Sequence, residues 1–169
     1  MTNLLSYLLL ISFSIANTEN EYINGIIGKL NQEFNQVVDF QAKMSVKLEV
    51  PGIRIPKKSY NVYFKQPNKI KANTKGFGIL PNTGIFTSPE DNFDNLKSLR
   101  LNPNASETRD GYIMITGILI PDSLKAQFPN EYAKLTFDPL VDVLIDTNKW
   151  VIRTVACRID TVKLFEIAS

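Results

Sequence analysis

The sequence predicts an α+β fold dominated by an antiparallel, strongly curved sheet, and three observations carry that prediction. An apolar stripe at helical spacing lies just past residue 20, an unbroken period-2 segment begins at Phe40, and short apolar runs punctuated by turn residues continue to the end of the chain. Together they read as roughly eight strands, one long helix and two short ones. No internal repeat or low-complexity segment interrupts the pattern.

The first sixteen residues, Met1 to Ala16, read as a cleavable secretory signal. They hold no charged side chain, Leu4 to Ile15 is mostly apolar, and Ser14-Ile15-Ala16 suits a small-residue cleavage site, although the α-amino group of Met1 supplies the only positive charge. Ser6, Ser12 and Ser14 interrupt the run and Asn17-Thr18-Glu19-Asn20 closes it, short of the roughly 20 apolar residues that a spanning helix needs. The expected mature chain is Asn17–Ser169, one domain in length, exported, and free to diffuse. Cys157 is the only cysteine. It allows no intramolecular disulfide, and it lies far from the apolar run, so no lipid anchor is expected. The net charge of +2 is too weak and too dispersed to imply nucleic acid.

After the signal, Thr18-Glu19-Asn20-Glu21 has the form of a capping box and predicts a helix start. Tyr22, Ile23, Ile26, Ile27, Leu30 and Phe34 recur at helical spacing and form a stripe that docking must cover. Gly25 and Gly28 weaken the isolated helix, so its stability must come mainly from tertiary packing.

From Phe40 the period becomes 2. Phe40, Ala42, Met44, Val46, Leu48 and Val50 alternate with Gln41, Lys43, Ser45, Lys47 and Glu49, which predicts a strand in an antiparallel sheet with one wet side. Pro51-Gly52 and Pro56 break the chain. Tyr60, Val62 and Phe64 resume the alternation, Pro67-Asn68 turns, and Ile70 and Ala72 continue a meander. Gly76, Gly78 and Pro81 fragment the stretch around Ile79 and Leu80.

The polar interval from Thr87 to Gly111 is long for an unstructured loop, so it should contain a short helix. Ser88 can cap it, Pro89 suits the first position, Glu90 and Asp91 offset the macrodipole, and Phe93, Leu96 and Leu99 or Arg100 follow at turn spacing. Asn102-Pro103 ends it. Further strands are expected at Tyr112–Ile120, Tyr132–Phe137, Val141–Ile145, Trp150–Cys157 and Val162–Ile167. A helical turn at Ser123–Phe128 puts Leu124 and Phe128 on one face, and Asp146-Thr147-Asn148-Lys149 turns the chain.

Several chemistries are absent. Without histidine there is no Ser-His-Asp or Cys-His catalysis, and the commonest transition-metal ligand is missing. Cys157 reads as a buried structural thiol rather than a nucleophile. Glu90, Asp91 and Asp94 could form an acid/base pair or hold a hard cation, but they fit the first turn of a helix better and match no calcium loop. Gly76-Phe77-Gly78 lacks the rest of a phosphate cradle. Asn104-Ala105-Ser106 fits a glycosylation sequon of a form common by chance. No catalytic residue, metal site or cofactor is expected.

An excess of apolar and aromatic side chains on a curved sheet remains to be explained. They either fill a core or line a concave cavity able to take an acyl chain.

Specific stretches resemble the periplasmic lipoprotein carriers, the LolA-like family, and their half-barrel relatives. An amphipathic helix leading into Val38-Asp39-Phe40-Gln41-Ala42 resembles that family's helix end and first strand. Tyr63-Phe64-Lys65-Gln66-Pro67-Asn68-Lys69-Ile70 resembles its second-strand signature, and the hairpin around Asp146-Thr147-Asn148-Lys149 also fits. The resemblance runs from about Tyr22 to the end of the chain. It implies a half-open β-barrel with an N-terminal amphipathic helix and short lid or plug helices. The concave face would hold lipoprotein acyl chains or a related lipid, received from an inner-membrane transporter and passed to an outer-membrane acceptor. On that resemblance the hydrophobic cavity is lined by Phe40, Met44, Val46, Leu48, Val62, Phe64 and Ile70, and the lid candidates are Phe93, Leu96, Leu124 and Phe128. The family commonly has Arg before the Pro, where Gln66 stands here, so a guanidinium latch is not implied. Its members also continue past the last hairpin, so an incomplete domain with an unpaired edge at Ser169 is expected.

The expected function is therefore a monomeric, non-enzymatic periplasmic acyl-chain carrier. The alternative is an envelope binding or sensor module with a filled core that recognises protein. An acid/base hydrolase built on Glu90, Asp91 or Asp94 is a third, lesser reading.

Overall fold

The structure is a computed structural model that describes residues 3–49, 55–67, 69–76, 88–103, 105, 108–120 and 138–169, with side chains from Thr18 onward. Helix α1 runs over Asn3–Gln36. It does not start at Thr18 as the capping box suggests. A cap requires non-helical backbone at its own position, and the Leu- and Ala-containing stretch upstream has the propensity to carry the helix through. Among the described residues no helix is long and apolar enough to cross a membrane.

Eight strands and a second helix follow: β1 (Asp39–Leu48), β2 (Lys58–Lys65), β3 (Lys69–Asn73), α2 (Pro89–Asp94), β4 (Leu96–Leu101), β5 (Tyr112–Leu119), β6 (Leu140–Asp146), β7 (Val151–Ile159) and β8 (Val162–Ala168). All pair antiparallel in one sheet of order β3-β2-β1-β8-β7-β6-β5-β4. The class is thus α+β with one large antiparallel sheet, open among the described residues, with β3 and β4 at its edges. Two meanders, β1 to β3 and β4 to β8, are joined where β8 lies beside β1. The join is short, pairing Ser45–Leu48 with Phe165–Ala168. The last strand therefore has a neighbour on each side, and the unpaired edge expected there is not formed by β8.

The short helix is capped as the sequence indicates. Ser88 Oγ accepts from the Asp91 N–H at 3.2 Å, and the Ser88 N–H donates back to Asp91 Oδ2. It is shorter than expected, ending at Asp94 rather than near Arg100. Leu96–Leu101 is a strand, and a β-bulge explains why it looked helical. The register with β5 shifts between Lys97 and Arg100, and Ser98 takes a left-handed φ of 54°. The extra residue turns a spacing of two into one of three, so Leu96, Leu99 and Leu101 all reach the core side.

The sheet buries one continuous apolar face. Ile23, Ile26 and Leu30 of α1 pack with Phe93, Leu96, Ile115, Val141, Val143, Ile145 and Cys157. Gly117 permits this contact, because a Cβ there would stand 2.8 Å from Leu99 Cδ2 and 3.0 Å from Leu96 Cβ. One side-chain link pins the helix to the edge strand: Glu19 Oε1 accepts from the Leu101 N–H at 2.8 Å.

The opposite face is not uniformly wet. Met114, Thr116, Leu144, Asp146 and Ala156 are buried there. The segment after β4 closes over this side, with Asn102 N–H donating to the Met114 carbonyl and Ala105 lining the same cavity as Met114 and Leu144. The expected strand at Tyr132–Phe137, the expected helix at Ser123–Phe128, the breaks at Pro51-Gly52 and the segment around Ile79-Leu80 lie outside the described residues, as does Asn104 of the sequon.

Candidate functional site

The seven residues proposed as cavity lining fall on one face of three adjacent strands. The register Phe40↔Phe64↔Ile70 forms one row and Ala42↔Val62↔Ala72 the next, followed by Met44↔Tyr60, with Val46↔Ile167 and Leu48↔Phe165 across the join to β8. Because strand side chains alternate, this register sends all of them to the side that α1 covers further along the sheet.

Their environments differ. Met44, Val46, Val62 and Phe64 are buried, Val62 completely, in a second core cluster that Tyr60 and Ile167 complete and against which Leu48, Ala72 and Phe165 pack. Phe40 and Ile70, at the end of the same rows, stay 37% and 40% exposed. Phe64 bridges the two settings. Its ring stacks on Phe40 at 4.9 Å and lies 5.3 Å from Phe34 of α1, so the aromatic group joins the helix end to the open end of the sheet.

Sequence reasoning about this face named neither Tyr60, Phe165 nor Ile167 as lining. Tyr60 shares the alternation of Val62 and Phe64 and was legible. Phe165 and Ile167 depend on β8 lying beside β1, which no local pattern encodes.

The lid candidates are divided. Phe93 and Leu96 sit in the first core cluster, on α2 and β4 respectively, both buried against α1 and the sheet. Leu124 and Phe128 lie outside the described residues.

Two cavities have polar walls. One of about 310 Å³ opens on the face opposite α1 and is lined by Asn102, Met114, Asp142, Leu144, Arg158, Lys163 and Glu166 among others. Its charges are neutralised internally. Asp142 accepts from Thr116 Oγ1 at 2.6 Å and from Arg158 Nε at 2.7 Å, and Lys163 pairs with Glu166. The other, of about 440 Å³, lies where α1, α2 and β4 meet, lined by Asn31, Glu90, Asp94, Phe93 and Leu99 among others.

This second cavity contains two of the three carboxylates considered for acid/base work. Glu90 is engaged with Asn31, whose Nδ2 donates to Glu90 Oε2 at 3.2 Å while the Glu90 N–H donates to Asn31 Oδ1 at 2.8 Å. Asp91 is the capping partner of Ser88. Both side chains therefore hold α2 in place. Among the described residues no cluster of His, Cys, Asp or Glu is arranged to hold a metal ion.

Cys157 lies in the first cluster, 2% exposed, and burial pushes its thiol pKa up to about 11, with the nearby Asp142 charge adding to the shift and Arg158 opposing it. A thiol so poised stays protonated and poorly nucleophilic near neutral pH.

These observations define an α+β protein whose antiparallel sheet has one apolar face backed by a helix. No protein-family model matches the chain, and no curated protein matches it either.

Proposed function

We propose that this protein is an exported carrier that binds acyl chains, of lipoproteins or a related lipid, on the apolar face of a half-open β-barrel. The observation that supports this most directly is the passage from the row Phe40, Phe64, Ile70, exposed at both ends, to the adjoining row with the completely buried Val62, with no charged side chain on that face of the two rows. A chain entering at Phe40 and Ile70 would pass from an exposed apolar rim to a buried interior. Each methylene transferred from water contributes about 0.8 kcal/mol, so two or three chains need no catalytic group to be held.

In this reading the signal is removed after Ala16 in the periplasm, α1 restarts at the Thr18–Glu21 capping box, and Glu19 keeps its hold on the Leu101 amide. The carrier takes its cargo from an inner-membrane transporter and yields it to an outer-membrane acceptor with a better apolar site.

A second reading is favoured by the near-complete burial of Met44, Val46, Val62 and Phe64. Such packing is what a filled core looks like, and a binding or sensor module recognising protein would need nothing more. Titration of the purified protein with a fluorescent fatty-acyl probe, together with extraction of co-purifying lipid, separates the two. Saturable binding supports the carrier, and a protein that is free of lipid and blind to the probe leaves the filled-core module.

A further inference from the structure

We propose that the open end of β1, β2 and β3 is a docking surface for an anionic phospholipid membrane. The chain carries a net charge of only +2, but its cations are not evenly spread. Between Val38 and Gly76 the only acids are Asp39 and Glu49, and Glu49 is taken by Lys47. Lys43, Lys65, Lys69 and Lys71 are all exposed, and none makes an ion pair among the described residues. Elsewhere on the sheet Arg153, Arg158 and Lys163 are each paired with a carboxylate, while Arg100 of β4 is exposed and makes no ion pair among the described residues.

The register sharpens this contrast. Lys65 stands between Asp39 on one neighbouring strand and Lys69 on the other, so the row holds one carboxylate for two ammonium groups, and Tyr63 stands opposite Lys71. The row keeps a net positive charge, which an external anion would offset. Alternation sends these lysines and Tyr63 (40% exposed) to the face away from α1 and sends Phe40 (37%) and Ile70 (40%) to the other, so the charged and apolar sets meet only at the strand ends, where Val38 (69%) is exposed as well.

A bilayer fits this combination better than a protein or a nucleic acid does. Lys is depleted at protein–protein interfaces, whereas long lysine stems lie comfortably along apolar surface with the ammonium at headgroup level. Tyrosine favours the same interfacial depth. All four cations are Lys, lacking the planar fork that reads phosphate backbones, and a nucleic-acid groove gives Val38 and Ile70 no role. Headgroup charge would draw the lysines in, and the apolar tips would enter the interfacial layer. The surface includes the rim residues Phe40 and Ile70 but rests on charge and exposure rather than on any acyl-chain binding.

Flotation of the full chain with vesicles of phosphatidylcholine alone, and of phosphatidylcholine mixed with phosphatidylglycerol, tests the assignment at low and high salt. Binding is expected only to the anionic vesicles and should weaken as salt rises. Each lysine near an anionic surface is worth about fivefold in partitioning, so Lys65→Gln/Lys69→Gln/Lys71→Gln should lower binding about a hundredfold with the melting curve retained. Val38→Ser/Ile70→Ser should weaken binding without changing its salt dependence. Equal binding to both vesicle types, or full binding by the lysine variant, overturns the proposal. So does binding to an acidic polypeptide but not to vesicles, or increased self-association of the lysine variant with unchanged flotation, which would assign the lysines to protecting the β3 edge. A soluble fluorescent acyl probe, titrated in parallel without vesicles, reports on the carrier reading separately.

Discussion

Arg153 grips the carboxylate of Asp146 across the turn from β6 to β7, donating from Nε at 3.2 Å and from Nη2 at 2.9 Å to the same oxygen, Oδ2. The other oxygen, Oδ1, accepts from the Asn148 and Lys149 amides at 3.0 and 3.2 Å. One buried side chain thus closes the turn and ties it to the next strand, where Arg153 occupies the extra position of a β-bulge.

This arrangement makes the hairpin acid-labile. The Arg153 hydrogen bond, helped by the two amides, holds the Asp146 pKa below its usual 3.8 although burial opposes the shift. A carboxylate with a depressed folded-state pKa contributes stability that is present above its unfolded value and lost as pH falls through the folded one. Asp146→Asn should therefore melt below the wild type at pH 7, and the gap should narrow as pH drops below 3.8. A gap independent of pH, followed by circular dichroism, would rule this out.

Cys157 predicts the opposite dependence at the alkaline end. Its thiol is raised from 9.0 to about 11, so the stability associated with the protonated form is complete below pH 9 and is lost as pH rises through 11. Two pK units correspond to about 2–3 kcal/mol. Cys157→Ala should lose stability less steeply than the wild type across that range. At neutral pH a thiol reagent should label the native protein only as fast as it unfolds, and rapid labelling would contradict the buried assignment.

Gly117→Ala tests the close approach of β4 to β5. The new methyl group would press on Leu96 and Leu99, and overpacking of this kind costs about 1–3 kcal/mol. Urea unfolding measures it. A neutral substitution would mean that the two leucines can shift freely.

Phe40 and Ile115 separate rim from core. Ile115 is completely buried, so Ile115→Ala should cost about 2–5 kcal/mol. Phe40 is 37% exposed, and Phe40→Ser should cost much less, since its main contact is the stack on Phe64. If acyl chains enter at this rim, Phe40→Ser should lower probe affinity about tenfold while leaving the fold intact, which corresponds to roughly 1.4 kcal/mol. Unchanged affinity would place the entry elsewhere.

The sequence made much of this legible where local rules apply. The alternation from Phe40 located β1, Ser88-Pro89 located the start of α2, and Tyr60, Val62 and Phe64 located β2. It misled where geometry altered the period. Leu96 and Leu99 mimic a helical turn because a bulge at Ser98 inserts one residue. The same effect brings both Leu164 and Phe165 to the core beside the bulge at Cys157 and Arg158. The capping box at Thr18 was real as a motif but silent in a helix already running through it.

Period, propensity and turn chemistry act within a few residues, and so the sequence by itself determined the α+β class, most strand positions and the apolar face that carries Phe40 to Leu48. Which strands meet is decided by surface burial summed over the whole chain. The tertiary structure alone placed β8 between β1 and β7, joined Tyr60, Val62 and Ile167 into one cluster, engaged Glu90 with Asn31 of α1, and left unpaired lysines and exposed apolar side chains on opposite faces of one end of the sheet.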